Sequence, residues 1–494
     1  MRHASILCAI AVVMSACTGR QAKTPDGDRS KAIDELGKSV VGERGVPGLA
    51  VAVIRDDKPF KTIVLGAANL ATHEPVSTGT PFQLASTTKI FSSVGVLLLV
   101  ADGKAQLDDP IGKYLDSLPS GWAPVTIRQL LSHTSGLPDI AARTGEIDLV
   151  AQDWDRALPI IAKKSFAFRP GTSWAYNQTN YALLLRLIER ISGVRFEDFL
   201  SQRLFQPLGM RNTFYPDPQH KCAVNYKKEN DGRIVERPEL AFPHYVRAAG
   251  GLCSSLGDMI VWSDALDSGK IIPRALLDKA WSPTKLVNGS SAQVGGPISY
   301  GLGWAIDTTA NHRWVGHSGG NSTAFRRYLD DHLTVIVLQN GTNDPDALVS
   351  SLAHAMLDKP AAGGSDANLW DAASDGNAAA VEAALRDGAN VNALDTRSSR
   401  NGRYALNWAA INDHADVIRL LLANGAAIDA QNLTGFTALH HAAESGSALA
   451  AQALLTAGAN TSIRTANGET AAEVARRNGN SAVAALIDRH ARKT

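Results

Sequence analysis

Ser86-Thr87-Thr88-Lys89 sets a hydroxyl and an amine three residues apart at the head of an apolar run, PFQLASTTKIFSSVGVLLLV, residues 81–100. Positions i and i+3 of a helix share a face, so the Lys89 amine reaches the Ser86 hydroxyl. A helix N-terminus adds free backbone N–H groups and the positive end of the dipole, which favour a developing anion. Four residues thus bring together a nucleophile, a base and part of an oxyanion site. The pattern is short, however, and Ser282-Pro283-Thr284-Lys285 repeats it. That copy leads into Val287-Asn288-Gly289-Ser290-Ser291, a loop-like stretch rather than a helix. Serine is also a common helix N-cap. Chemistry at Ser86 therefore depends on partners elsewhere in the chain.

Candidate partners follow in order. Tyr176 lies in WAYNQTNY, residues 174–181, on a loop before the helical segment 181–191 (YALLLRLIERI). Side chains on such loops point into clefts. Tyr181, inside the helix, reads as core. Val315-Gly316-His317-Ser318-Gly319-Gly320 is a glycine-rich start to a strand region. His133, in residues 125–139 (VTIRQLLSHTSGLPD), adjoins no activating partner and reads as a histidine that fixes a turn by hydrogen bonds.

The elements that must position these groups begin with a buried strand at 48–54, a turn at Asp56-Asp57-Lys58-Pro59 and a returning strand at 60–65. The Ser86 helix stops near Asp102-Gly103. Strands are predicted at 324–329 and 333–338, and a closing helix at 344–357. Strand hairpins at both ends with helices between imply an α/β (α+β) domain whose sheet is built from both termini.

At 494 residues the chain holds two or three domains. Its 45% hydrophobic and 20% charged residues are ordinary for globular protein, and a net charge of +1 offers no basic excess for nucleic acid. No histidine and cysteine cluster has zinc-ligand spacing, so neither a metal nor another cofactor is implied. Residues 1–17 read as an export signal: Arg2 and His3 precede an apolar stretch at 6–16, too short to span a bilayer. The segment Val13-Met14-Ser15-Ala16-Cys17 resembles a bacterial lipobox, which would lipidate Cys17. Met14 is an unusual choice there, which leaves ordinary cleavage open. Either route places the protein in the bacterial periplasm, free or anchored by lipid. Residues 18–32 form a polar tether. Cys222 and Cys253 are compatible with a disulfide or with two buried thiols.

After a linker at 359–366 the texture changes. GRYALNWAA at 402 returns as GFTALHHAA at 435 and, more weakly, as GETAAEVA at 468, each a step of 33 residues. That is the ankyrin period. Residues 367–494 accordingly read as an all-α array of about four repeats, near 367–399, 402–433, 435–466 and 468–494. Such an array either presents a face to a protein partner or serves as a stabilising appendage.

With these landmarks in order, residues 33–358 resemble the serine hydrolases of the β-lactamase and penicillin-binding-protein superfamily, in the class C β-lactamase, D-aminopeptidase and esterase branch. The Ser86–Lys89 motif, the 125–139 stretch, the Pro170-Gly171 to Tyr181 segment, Ala248-Ala249-Gly250-Gly251-Leu252 and His317-Ser318-Gly319 carry the resemblance. It implies a β-lactamase-like fold with an antiparallel sheet. Ser86 becomes the nucleophile, Lys89 a base or proton shuttle, and Tyr176 a base and later an acid. Backbone N–H groups of Ser86 and Gly320 form the oxyanion hole, and Gln178, His317, Ser318, Gly319 and Gly320 bind substrate. Two departures stand out. Gln178 replaces the usual asparagine, which casts doubt on tight holding of a β-lactam or peptide amide. His317 replaces the lysine typical of β-lactamases, and histidine there is familiar in the esterase and peptidase branches. The expectation is an exported hydrolase acting on an ester, D-amino-acid peptide or related amide. The alternatives are a catalytically idle interaction protein and a genuine β-lactamase.

Overall fold

The computed structural model describes residues 25–492 except 43–44, 142–152, 230–231, 238–241, 296–297, 308–311, 321, 342–343, 358–363, 387, 396–401, 433 and 466–467. The export segment, Cys17 and the first part of the tether lie outside the described residues. No helix among the described residues is long and apolar enough to cross a membrane.

A nine-stranded antiparallel sheet organises the first domain. Its strands are β1 (Gly48–Arg55), β2 (Lys58–Asn69), β3 (Glu74–Pro75), β4 (Gln293–Gly295), β5 (Ile298–Tyr300), β6 (Ala305–Asp307), β7 (Trp314–Gly319), β8 (Thr323–Tyr328) and β9 (Leu333–Gln339). Their order is β3-β2-β1-β9-β8-β7-β6-β5-β4, so the first and last strands pair inside the sheet, with Val51 opposite Val337. The expected sheet from both termini is what forms.

Alternation along β1 divides two cores. Ala50, Ala52 and Ile54 face one side, Leu49, Val51 and Val53 the other. The second side is covered by α1 (Asp26–Gly42) through Ile33 and Val40, and by a helix near the domain's end. The first side is covered by α2 (Thr88–Ala101), α3 (Gln178–Ser192) and α4 (Leu256–Asp267); the end helix is α5 (Pro345–Met356). Burial on both faces explains why GLAVAVI and LTVIVL read as continuous apolar runs instead of alternating ones.

Two boundaries differ from the sequence reading. Residues 26–32, taken as tether, belong to α1. Their polarity misleads because Asp26 and Asp28 occupy the first turn, where the dipole favours acids, and buried Arg29 donates to the Met356 carbonyl. Residues 364–366, taken as linker, open the helix Gly364–Ser374.

From that helix on, the described residues form four helix pairs: Gly364–Ser374 with Ala378–Arg386, Ala405–Ile411 with Ala415–Ala423, Ala438–Ser445 with Ala448–Thr456, and Ala471–Arg477 with Ser481–Ala491. Alanines at 409, 442 and 475 bury completely, which lets successive helices approach closely. Thr437 and Thr470 each cap their helix by accepting from the N–H three residues on.

Candidate active site

Residues 85–87 form a single 3-10 turn that feeds α2. Ser86 therefore sits two residues before the α-helix, half-buried and reachable. Ala85 has φ +45°, a left-handed value that costs a side-chain-bearing residue about 1–3 kcal/mol. Neighbours hold it there. Leu84 N–H donates to Leu252 O at 2.8 Å, and Thr323 Oγ1 donates to Leu84 O at 2.9 Å. Gly319 approaches so closely that a Cβ there would lie 2.0 Å from the Leu84 carbonyl oxygen. Glycine at 319 is thus required by contact with the backbone that leads into the Ser86 turn.

Lys89 is fully buried. Its Nζ lies 2.7 Å from Ala249 O, 3.0 Å from Gln178 Oε1 and 3.4 Å from Ser86 Oγ. Burial brings its pKa from the ordinary 10.5 down to about 7, opposed in part by the Asp139 carboxylate. A neutral amine has two N–H groups and one lone pair. The two carbonyl oxygens take the donors, which leaves the lone pair for the Ser86 hydroxyl. Gln178, whose extra methylene raised doubt, uses its length to reach Lys89 from the first turn of α3.

Tyr176 stands in the loop before α3, its ring 4.8 Å from Lys89 Nζ. His133 supports that loop: its carbonyl accepts from Ala175 N–H at 3.0 Å, and its Nδ1 accepts from Asn177 N–H at 3.2 Å. The turn-fixing reading of His133 matches these bonds, and its ring also lies 4.5 Å from that of Tyr176.

His317, on β7, closes the opposite wall with its ring 6.2 Å from that of Tyr176. Gly320 follows with φ +46°, and a Cβ there would meet the Ala85 Cβ at 3.0 Å, so its backbone lies beside the nucleophile turn. Ser318, expected to bind substrate, is a correction. Strand alternation turns its hydroxyl to the other face, where it donates to Asp346 of α5 at 2.5 Å. In the second motif, Ser282 and Lys285 are exposed and turn to other partners: Ser282 Oγ donates to Asp278 O, and Lys285 Nζ to Ser291 Oγ.

Several site groups escaped the sequence reading. Tyr300 on β5 places its hydroxyl 2.9 Å from His317 Nε2. Tyr181, assigned to core, is fully buried yet lies with its ring 5.1 Å from Lys89 Nζ. The Ala248-Ala249-Gly250-Gly251-Leu252 landmark acts through its backbone, with Ala248 O accepting from Ser92, Ala249 O from Lys89 and Leu252 O from Leu84. No side-chain pattern announces a carbonyl. Cys222 and Cys253 are joined in a disulfide that fixes the strand next to this segment.

A family model described as Beta-lactamase matches residues 30–356, and one described as Ankyrin repeats (3 copies) matches residues 369–465. The chain belongs to the beta-lactamase family. It is 30% identical over 328 residues to a penicillin-binding protein of Bacillus subtilis, an alignment covering 60% of this chain and 69% of that one. It is 29% identical over 349 residues to a D-aminopeptidase of Cereibacter sphaeroides, covering 69% and 65% respectively. The chain thus spans just under two thirds of that relative's length. The solved octameric penicillin-binding protein homologue of Pyrococcus abyssi is similar with TM-score 0.57 and 25% identity, over 66% of this chain and 76% of that one. The first domain is therefore of a serine hydrolase family, and the ankyrin array is appended to it.

Proposed function

We propose that this beta-lactamase-family chain is an exported serine hydrolase that forms an acyl-enzyme at Ser86 on an ester, a D-amino-acid peptide or a related amide. The observation that carries this reading is the placement of Lys89, fully buried with its Nζ 3.4 Å from Ser86 Oγ, where burial lowers its pKa to about 7. A serine hydroxyl needs a base within hydrogen-bond reach, and 3.4 Å is the loose approach typical before substrate closes the site. Lys89 takes the Oγ proton as Oγ bonds to the substrate carbonyl carbon. The displaced electron pair moves onto the carbonyl oxygen, facing the N–H groups of Ser86 and Gly320. Each such donor contributes about 3–4 kcal/mol in comparable enzymes. The intermediate collapses as the bond to the leaving group breaks, and the proton returns to that group through Tyr176. Water then repeats the sequence on the acyl-enzyme.

The relatives named penicillin-binding protein and D-aminopeptidase support this substrate range, and His317 in place of a lysine favours its esterase and peptidase side. The Cys222–Cys253 disulfide and the signal-like residues 1–17 support export to an oxidising compartment. The ankyrin repeats, an architecture that binds through extended faces, would engage a protein partner. A fluorophosphonate probe tests the core of the proposal. Labelling of the folded parent that disappears in Ser86→Ala supports it, whereas an unlabelled folded parent returns the idle alternative.

A further inference from the structure

His317 is held at both ring nitrogens. Its Nδ1 lies 2.7 Å from the Ser318 carbonyl oxygen, which can only accept, so Nδ1 carries a proton. Its Nε2 lies 2.9 Å from the Tyr300 hydroxyl. In a neutral ring with Nδ1–H, Nε2 has a lone pair and accepts from that hydroxyl. His317 is 8% exposed, and Tyr300 beside it is 2% exposed. A ligand thus meets a ring whose polar atoms are already engaged by the protein. A cationic side chain at this wall would attract an anion; a capped neutral imidazole gives it nothing to pair with. A carboxylate brought here would lose its water without gaining a charge-assisted bond, which such groups do not tolerate.

We propose that Tyr300 is a positioning residue that sets the charge preference of this site, holding His317 as a neutral Nδ1–H ring so that substrates with a carboxylate on the leaving-group side are refused. The inference rests on acyl transfer at Ser86 and narrows it to esters and amides whose leaving group is uncharged. Replacing the Tyr300 hydroxyl by hydrogen removes the bond that stabilises the Nε2 lone pair. The ring then takes a proton from solvent as a carboxylate arrives, and an ion pair forms that the parent forbids.

The test compares D-alanine 4-nitroanilide with D-alanine 3-carboxy-4-nitroanilide, which share a scissile bond and differ by one carboxylate. The parent is expected to prefer the neutral anilide. In Tyr300→Phe, melting like the parent, the ratio of kcat/KM for the carboxylated over the neutral substrate should rise about tenfold, with the gain in KM rather than kcat. Tyr300→Leu, which also lacks the hydroxyl, should move the ratio the same way even if overall activity falls. An unchanged ratio in both folded variants, or a parent that already prefers the carboxylated anilide, overturns the proposal. Imidazole 15N shifts of the parent provide a readout free of turnover. A neutral Nδ1–H signature at His317 supports the proposal even where Ser86 proves unreactive, and a neutral Nε2–H signature overturns it even where Ser86 reacts.

Discussion

The two halves of the chain are held together over very different sequence distances. In the hydrolase domain, Thr323 bonds Leu84 across 239 positions, Lys89 bonds Ala249 across 160, and Ser92 bonds Ala248 across 156. In the array, Asn392 bonds Gly425 across 33, Asp413 bonds Ala450 across 37, and Asp429 bonds Asn460 across 31. The array repeats one local solution, so its stability is a sum of units and their neighbours. The hydrolase domain closes a loop through nearly its whole length, and its buried polar groups meet only when that closure is complete. A site with a buried amine and a strained alanine belongs in the second kind of structure, because a local stack could not enforce either.

Perturbations confined to one half sharpen this contrast. The largest effect is expected from Lys89→Met, which should lower kcat/KM for a p-nitrophenyl ester by at least about a thousandfold. Melting should fall only modestly, since relief of burying the amine offsets the loss of a donor to the Ala249 and Gln178 oxygens. In the parent, kcat/KM should rise with pH through about 7 as Lys89 loses its proton and then level off. A profile flat across that range would remove Lys89 as the base.

Opening the long-range domain comes next. Cys222→Ala with Cys253→Ala frees a closure of 31 residues and should cost about 3–4 kcal/mol in the hydrolase transition alone. Thr437→Ala, which removes a cap in the third helix pair, should cost about 1 kcal/mol in the array transition and leave ester turnover intact. Differential scanning calorimetry reads both. A single transition that both substitutions lower equally would break the comparison, since the halves would then unfold as one.

The smallest effect concerns pH. His244, in the segment leading to Ala249, lies between Glu197 at 2.9 Å and Glu189 at 2.8 Å, while Arg247 also holds Glu197. The three acceptor-bearing residues lie close enough for a cation, but both imidazole nitrogens already face carboxylates. They act as an ion-pair clamp. The Glu197 carboxylate raises the His244 pKa, against the opposing pull of burial. Burial pushes Glu197 up, yet bonds from His244, its own N–H and Arg247 bring it down to about 2. A raised histidine stabilises fully below its ordinary 6.5 and loses that contribution as pH climbs through the raised value. A lowered glutamate stabilises above its ordinary 4.5 and loses its share as pH falls towards 2. Melting of the hydrolase domain should therefore peak between these limits, and His244→Gln should flatten the alkaline side of that peak. An unaltered profile in the variant would assign the peak elsewhere.

Much of this was legible in the residues. Ser86 and Lys89 announce themselves because helical spacing alone brings them together, and the 33-residue step survives even where Tyr404 replaces the capping threonine, since Asn407 still accepts from the Tyr404 N–H. What stayed hidden required register or backbone. Ser318 looked equivalent to His317 until the pleat sent them to opposite faces. Tyr300 joined the site through ladder pairing two strands away, which no local pattern encodes. Ala249 serves through a carbonyl, an atom every residue possesses.

Pairing of β1 with β9 also makes the proposed site depend on nearly the whole length of the first domain. A chain ending at Lys89 would hold the proposed nucleophile and base but neither Ala249, whose carbonyl accepts from the amine, nor Gly320, which packs beside Ala85. The sheet position beside β1 is filled by Leu333–Gln339. A truncation anywhere after Lys89 and before residue 339 would therefore keep the Ser86–Lys89 pair and lose the sheet that frames it.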